Sequence, residues 1–141
     1  MNVAFDTNVI LNAAMGRPGS EEAQKLIQAV ISGEVTGIVT ANTITDIHYI
    51  VKKRAGDKAA REVVRNTLDL FEIAPVNREA CETALILKMA DYEDAVLAAC
   101  ANEAFADYIA TQDEKFIEAT GSPVVPLHPQ DILCALMGQD E

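Results

Sequence analysis

The stretch Val3-Ala4-Phe5-Asp6-Thr7-Asn8-Val9-Ile10-Leu11 decides how this chain is read. Three apolar residues end abruptly in a carboxylate, a hydroxyl and an amide, and apolar residues then resume at once. A run this short and apolar reads as a buried strand, with Thr7 or Asn8 opening a helix. Asp6 is therefore delivered to the edge of a sheet. In open α/β sheets that edge, beyond the carboxyl ends of the strands, is where ligands bind. The weight of Asp6 rests on whether other carboxylates converge on it.

Outward from this stretch, strands and helices alternate. Strand Asn2–Phe5 feeds helix Thr7–Met15, which Gly16-Arg17-Pro18-Gly19 breaks. Ser20 with Glu21 and Glu22 reads as the cap and acidic first turn of a helix to Ile31. Gly37-Ile38-Val39-Thr40 is a second short buried strand. Asn42 or Thr43 caps a helix through Arg54, and Lys58 to Phe71 forms another, the two joined as a hairpin through Gly56-Asp57. Ile73 to Val76 reads as a strand that Pro75 assigns to the edge of the sheet. Asn77 caps the next helix, and Asp91 starts one that runs to Ala104 and is rich in small residues. Asp107 to Thr111 and Val124 to Pro126 are strands, with a short helix from Glu114 to Ala119 between them. His128-Pro129-Gln130-Asp131 opens the last helix, to Met137. The alternation predicts an α/β class with a mostly parallel sheet covered on both faces.

With 141 residues, 50% hydrophobic and 5% aromatic, the chain is expected to form one domain over 1–141, with a core of Ala, Val, Ile and Leu. No apolar run reaches the roughly 18 to 20 residues that span a membrane. Asp6 interrupts the N-terminus before a signal-peptide core can form, so a cytoplasmic protein is expected. Cys81, Cys100 and Cys134 are odd in number and widely spaced, and read as small buried hydrophobes in a reducing compartment. The net charge is -11, yet residues 1–70 balance at 8 basic against 8 acidic, while residues 71–141 carry 3 against 14. Six of the eleven basic residues, Lys52, Lys53, Arg54, Lys58, Arg61 and Arg65, fall on the helical hairpin. An acidic protein can therefore still present a local basic patch to phosphates.

Asp6 and Asp113 each follow a strand and so reach the same sheet edge. Asp46, in the first turn of the helix after Gly37–Thr40, lies near it as well. Asp91 and Asp94 begin a helix three residues apart, hence on one face. Each has a plainer role open to it. An Asp after a strand caps a helix, and Asp46 or Asp91 can complement a helix dipole. Taken together, however, close carboxylates repel unless a cation sits among them. Oxygen ligands of this kind suit Mg²⁺ or Mn²⁺, which can activate water against a phosphodiester. His48 and His128 have no metal-ligand spacing and read as structural or surface residues.

The motifs Phe5-Asp6-Thr7-Asn8-Val9-Ile10, Thr43-Ile44-Thr45-Asp46-Ile47, Asp91-Tyr92-Glu93-Asp94-Ala95 and Thr111-Gln112-Asp113, in this order, resemble a PIN domain. More narrowly, they resemble the toxin ribonucleases of VapBC-type toxin–antitoxin pairs. The resemblance implies a three-layer α/β/α sandwich and Mg²⁺- or Mn²⁺-dependent cleavage of RNA. It casts Asp6, Asp46, Asp94 and Asp113 as the catalytic, metal-holding acids, with Asn8, Asp91 and Thr111 in support. It also implies a homodimer and a small antitoxin partner. The chain departs from the family's common pattern at Asp46, where Glu is frequent, and at Lys115, where another Asp is frequent.

Other functions compete with this one. A housekeeping PIN nuclease without an antitoxin has the same motifs. An aspartyl-phosphate hydrolase wants a second Asp two residues after the first, where this chain has Asn8. A phosphorylated receiver wants a Lys after its last strand, and Val124-Val125-Pro126-Leu127-His128 has none. A non-catalytic module would use the acidic edge to bind a basic partner.

Overall fold

A computed structural model describes residues 1–139. The chain order is β1 (Asn2–Phe5), α1 (Thr7–Met15), α2 (Ser20–Ile31), β2 (Thr36–Thr40), α3 (Ala41–Ala55), α4 (Asp57–Leu70), β3 (Glu72–Ala74), α5 (Arg78–Ile86), α6 (Tyr92–Glu103), β4 (Tyr108–Ala110), α7 (Glu114–Ile117), β5 (Val125–Leu127) and α8 (Pro129–Gln139). The five strands form one sheet, ordered β3-β2-β1-β4-β5, and every pairing is parallel. Val3 stands opposite Gly37 on one side and Tyr108 on the other. β1 is thus the central strand, buried by neighbours on both edges.

The period of two along β1 divides the core. Val3 and Phe5 join Val9, Leu11, Leu26 and Ile47 in a cluster under α1, α2, α3, α4 and α8. Ala4 and Ile38 face the other way, into a cluster with Ala95, Ala98, Cys100 and Phe116 under α5, α6 and α7. The result is a three-layer α/β/α sandwich. Ala95 through Ala101 of α6 are all buried, so this helix shows no polar stripe. Its small side chains let it lie close against Ala4 and Ile38. At Gly37 a side chain has no room, since a Cβ there would lie 2.6 Å from the Phe71 ring. Phe71 in turn meets Phe5 edge-to-face, with centroids 5.0 Å apart and planes at 80°. None of the helices among the described residues is long and apolar enough to cross a membrane.

Several local expectations need correction. α3 begins at Ala41 directly after β2, so Thr40 is its N-cap and neither Asn42 nor Thr43 caps it. The Thr43 hydroxyl is drawn elsewhere, to Thr7 and Thr40. Gly19 occupies the N-cap of α2 and Ser20 is its first residue. Pro75 lies just beyond β3, which is nevertheless an edge strand. Of the cysteines, only Cys100 is buried, and burial pushes its thiol upward. Cys81 is half-buried and Cys134 exposed, because each sits on the outer side of its helix. All three are free thiols.

Candidate active site

The strand order reverses between β1 and β4, since α1 leaves β1 toward one face and α7 leaves β4 toward the other. A crevice opens at such a reversal, outside the carboxyl ends of the two strands. Asp6 follows β1 and Thr111-Gln112-Asp113 follows β4, so both segments meet there. The Asp6 amide donates to the Ala110 carbonyl at 2.9 Å, extending the β1–β4 pairing by one step. The Thr111 hydroxyl, fully buried, donates to Asp6 Oδ2 at 2.9 Å and accepts from the Asp113 amide at 3.1 Å. One hydroxyl therefore links two carboxylate residues from different strands.

Asp6 is the N-cap residue of α1 by its backbone, with its carbonyl accepting from Val9, but its side chain makes no capping bond. The plain capping role does hold for two other acids. Asp91 Oδ1 accepts from the Asp94 amide at 3.0 Å at the start of α6. Asp113 Oδ1 accepts from the Lys115 amide at 3.0 Å at the start of α7. Each keeps its second oxygen free of that bond.

Asp6 and Asp94 line one narrow cleft with Glu93, Thr7, Thr40 and Thr43. Thr7 and Thr43 share a hydrogen bond at 2.8 Å, and Thr43 and Thr40 share one at 3.2 Å, so the hydroxyl wall is internally satisfied. The carboxylates instead crowd like charge. Burial raises the Asp6 carboxyl above the ordinary range, opposed by the Thr111 hydroxyl and reinforced by the charges of Asp113 and Glu93. Asp94 is pushed up to about 7, first by burial, then by the negative charges of Asp91, Asp6, Asp113 and Glu93. A cleft that holds several carboxylates favours protons or an external positive charge.

A family model described as PIN domain matches residues 2–115. The chain belongs to the PIN domain family. No curated protein matches its sequence. Among solved structures, this PIN domain is similar to VapBC2 from Rickettsia felis, bound to a DNA fragment from its promoter. The TM-score there is 0.71 at 15% identity, over 91% of this chain and 98% of that one. It is similar to VapC20 of Mycobacterium tuberculosis, a sarcin-ricin loop cleaving toxin, with a TM-score of 0.65 at 15% identity, over 81% and 92% of the two chains. FitAcB from Neisseria gonorrhoeae gives 0.67 at 20% identity, over 91% and 98%. At these identities the likeness is one of fold.

The remaining candidate residues are placed less centrally. Asp46 is half-buried on α3, one turn beyond Thr43 and so on the same side of the helix, but it does not line the cleft with Asp6 and Asp94. Asn8 is exposed and makes no bond to the carboxylates among the described residues. The buried amide of α1 is Asn12 instead. Among the described residues, no three His, Cys, Asp or Glu side chains stand as a ready ligand group. Lys52, Lys53, Arg54 and Lys58 are exposed around the hairpin tip. Arg61 is engaged by Asp57 at 2.8 Å, which holds that carboxyl below its usual range, and His48 Nε2 meets the same residue at 3.1 Å. Arg61 and Arg65 flank a groove between α3 and α4, away from the tip. His128 is structural too, its Nδ1 accepting from the Gln130 amide at the start of α8. Glu93 is the cleft residue that sequence reasoning missed. Its signal was its place between Asp91 and Asp94 in the first turn of a helix.

Proposed function

We propose that the chain is a single PIN nuclease domain over 1–141 that cleaves RNA phosphodiester bonds in the presence of Mg²⁺ or Mn²⁺, as the toxin of a toxin–antitoxin pair. The observation that carries this reading is the meeting of Asp6, Asp94 and Asp113 at the β1–β4 crevice, where burial first and then neighbouring carboxylates raise Asp6 and Asp94. The donor set fits a hard divalent cation, because it consists of carboxylate and hydroxyl oxygens without sulfur or imidazole. Asp6, Asp94 and Asp113 would hold the ion, with Glu93 and Asp91 adding negative charge and Asp46, outside the cleft on α3, in a more distant role. Such an ion, when bound, lowers the pKa of a water molecule and offsets charge on phosphoryl oxygens.

The chain's own residues do the rest. Thr111 fixes the Asp6 carboxylate by donating to Oδ2, so the oxygen left over has a set direction. Asp94, pushed up to about 7 in the metal-free protein, would give up its proton as the ion binds and join Asp6 in holding it. Lys52, Lys53, Arg54 and Lys58 offer positive charge to the RNA backbone from the hairpin tip. The toxin assignment draws support from the similarity to VapBC2 of Rickettsia felis and to the toxin VapC20 of Mycobacterium tuberculosis. A small antitoxin, a homodimer and a cytoplasmic site of action belong to the same proposal.

Cleavage of a labelled RNA panel by the purified chain tests it. Activity is expected with Mg²⁺ or Mn²⁺, none in EDTA, and none for a folded Asp6→Asn variant. Undiminished cleavage in EDTA or by Asp6→Asn overturns the metal-dependent reading. Growth arrest on induction of wild type but not of Asp6→Asn separates a toxin from a housekeeping nuclease.

A further inference from the structure

Residues 110, 111 and 112 each bond to the segment that begins at Asp6. Ala110 uses its carbonyl and Thr111 its hydroxyl, both on Asp6 itself. Gln112 reaches further, to the far end of α1. Its Oε1 accepts from Asn12 Nδ2 at 2.6 Å, and its Nε2 donates to the Gly19 carbonyl at 2.8 Å. Both halves of the amide are therefore satisfied, one by the last turn of α1 and one by the N-cap of α2. Asn12 is itself buried, so its amide has no water to fall back on.

The turn between α1 and α2 is shaped to receive this side chain. Gly19 has φ +89°, and a Cβ there would lie 2.6 Å from Gln112 Nε2. The left-handed backbone is what favours glycine there, and the bare Cα lets the Gln112 amide approach closely. The Asn12 carbonyl also accepts from the amides of Gly16 and Arg17, which ties the same residue to the start of the turn. The neighbours of Gln112 in sequence are the two that matter for the site, Thr111 and Asp113.

We propose that Gln112 is a positioning residue for the acidic cluster. By locking the β4–α7 turn onto both ends of the α1–α2 connection, it fixes where Thr111 meets Asp6 and where Asp113, bonded through its amide to the Thr111 hydroxyl, is held. The inference rests on the nuclease reading for its consequence in catalysis, but the positioning is a property of the protein without metal or RNA. Side chains that orient metal-binding carboxylates change affinity or turnover by roughly 10- to 100-fold when removed.

The test is Gln112→Met, which keeps length and volume and removes both hydrogen bonds. In the folded variant without metal, the Asp113 amide, which donates to Thr111 Oγ1, is expected to exchange with solvent at least tenfold faster, while amides of β2 and α3 keep wild-type rates. Mn²⁺ affinity is expected to fall about tenfold, and RNA cleavage to lose kcat with KM for RNA unchanged. Wild-type exchange at Asp113 together with wild-type Mn²⁺ affinity overturns the proposal. A uniform acceleration of exchange over the whole sheet overturns it too, because it marks a merely structural role. Should Gln112→Met not fold, Asn12→Ala removes the bond to Oε1 alone and is read by the same criteria. Asp6→Asn in parallel keeps the two readings apart. If it cleaves RNA like wild type, the metal-dependent reading of the site fails, and Asp113 exchange still decides the role of Gln112.

Discussion

Asp94→Asn is expected to make the metal-free protein more stable at neutral pH. The Asp94 carboxyl rises from 3.8 to about 7 on folding, so between those values the folded chain binds a proton that the unfolded chain does not. Stability from this group is therefore fully present near pH 4 and is lost as pH rises through 7. The full rise corresponds to about 4 kcal/mol at 1.36 kcal/mol for each pH unit. Asp94 is half-buried, and solvent screening reduces this to about 1–2 kcal/mol. Asparagine keeps the shape and the backbone bond from its own amide to Asp91, and never carries the charge.

Thermal melts in EDTA measure the effect. At pH 3 the two proteins should melt nearly together, because Asp94 is then protonated in the folded and the unfolded chain alike, and the gap should open as pH rises from about 4 to 7. At pH 8.5 the variant should melt higher by about 3–8 °C, taking about 3–4 °C per kcal/mol for a domain of this size. Adding Mg²⁺ should raise the wild type and leave the variant nearly unmoved, since only the wild type keeps the full carboxylate set. A variant less stable than wild type at pH 8.5, or a difference independent of pH, refutes the reasoning.

Titrating Mn²⁺ into wild type at pH 6, in two buffers of different ionisation heat, should release close to one proton per site, declining toward zero at pH 9. Constant release across that range contradicts the assignment of the raised carboxyl to the ion's site. Gly37→Ala should lower the urea midpoint by an amount equivalent to about 1–3 kcal/mol, because the added methyl meets the Phe71 ring that packs on Phe5. An unchanged midpoint would show that Phe71 yields at no cost. Replacing Lys52, Lys53, Arg54 and Lys58 together with Ala should reduce the salt slope of RNA binding by about 3, at roughly 0.7 per lost phosphate contact, while the melting temperature holds. An identical slope places the RNA elsewhere.

The parts of this protein that were legible in its sequence are those set by one element and its end. β1 reads as a strand because Val3, Ala4 and Phe5 are all buried, and a parallel sheet sends every such strand end to one edge. Asp6 and Asp113 follow directly from that. The identity of the central helix α6 was legible from its small residues. What escaped was set by the meeting of distant segments. The family resemblance cast Asn8 as a supporting amide, yet the buried residues of α1 run from Val9 to Asn12 and leave Asn8 exposed. Asn12 finds its partner one hundred residues away in Gln112, and no local pattern announces such a pair. Thr43 looked like a cap from its place after a strand, but the hydroxyls of Thr7 and Thr40 claim it.

The same geometry removes a choice that sequence reasoning imposes. An Asp after a strand is read either as a helix cap or as a ligand, as though one role excluded the other. Asp91 and Asp113 each give one oxygen to a helix amide, and that bond sets the direction of the second. Capping then holds a short, otherwise mobile carboxylate in one orientation, which is what the proposed cation site would require. Asp6 and Asp94 have a different arrangement. Asp6 leans on one hydroxyl, while Asp94 takes no amide bond from its helix and carries the repulsion of four neighbouring acids. The cost of the cluster thus falls on the two residues least anchored by backbone, Asp94 above all. That is why a neutral side chain at Asp94 should strengthen the fold while removing the group on which the proposed chemistry depends.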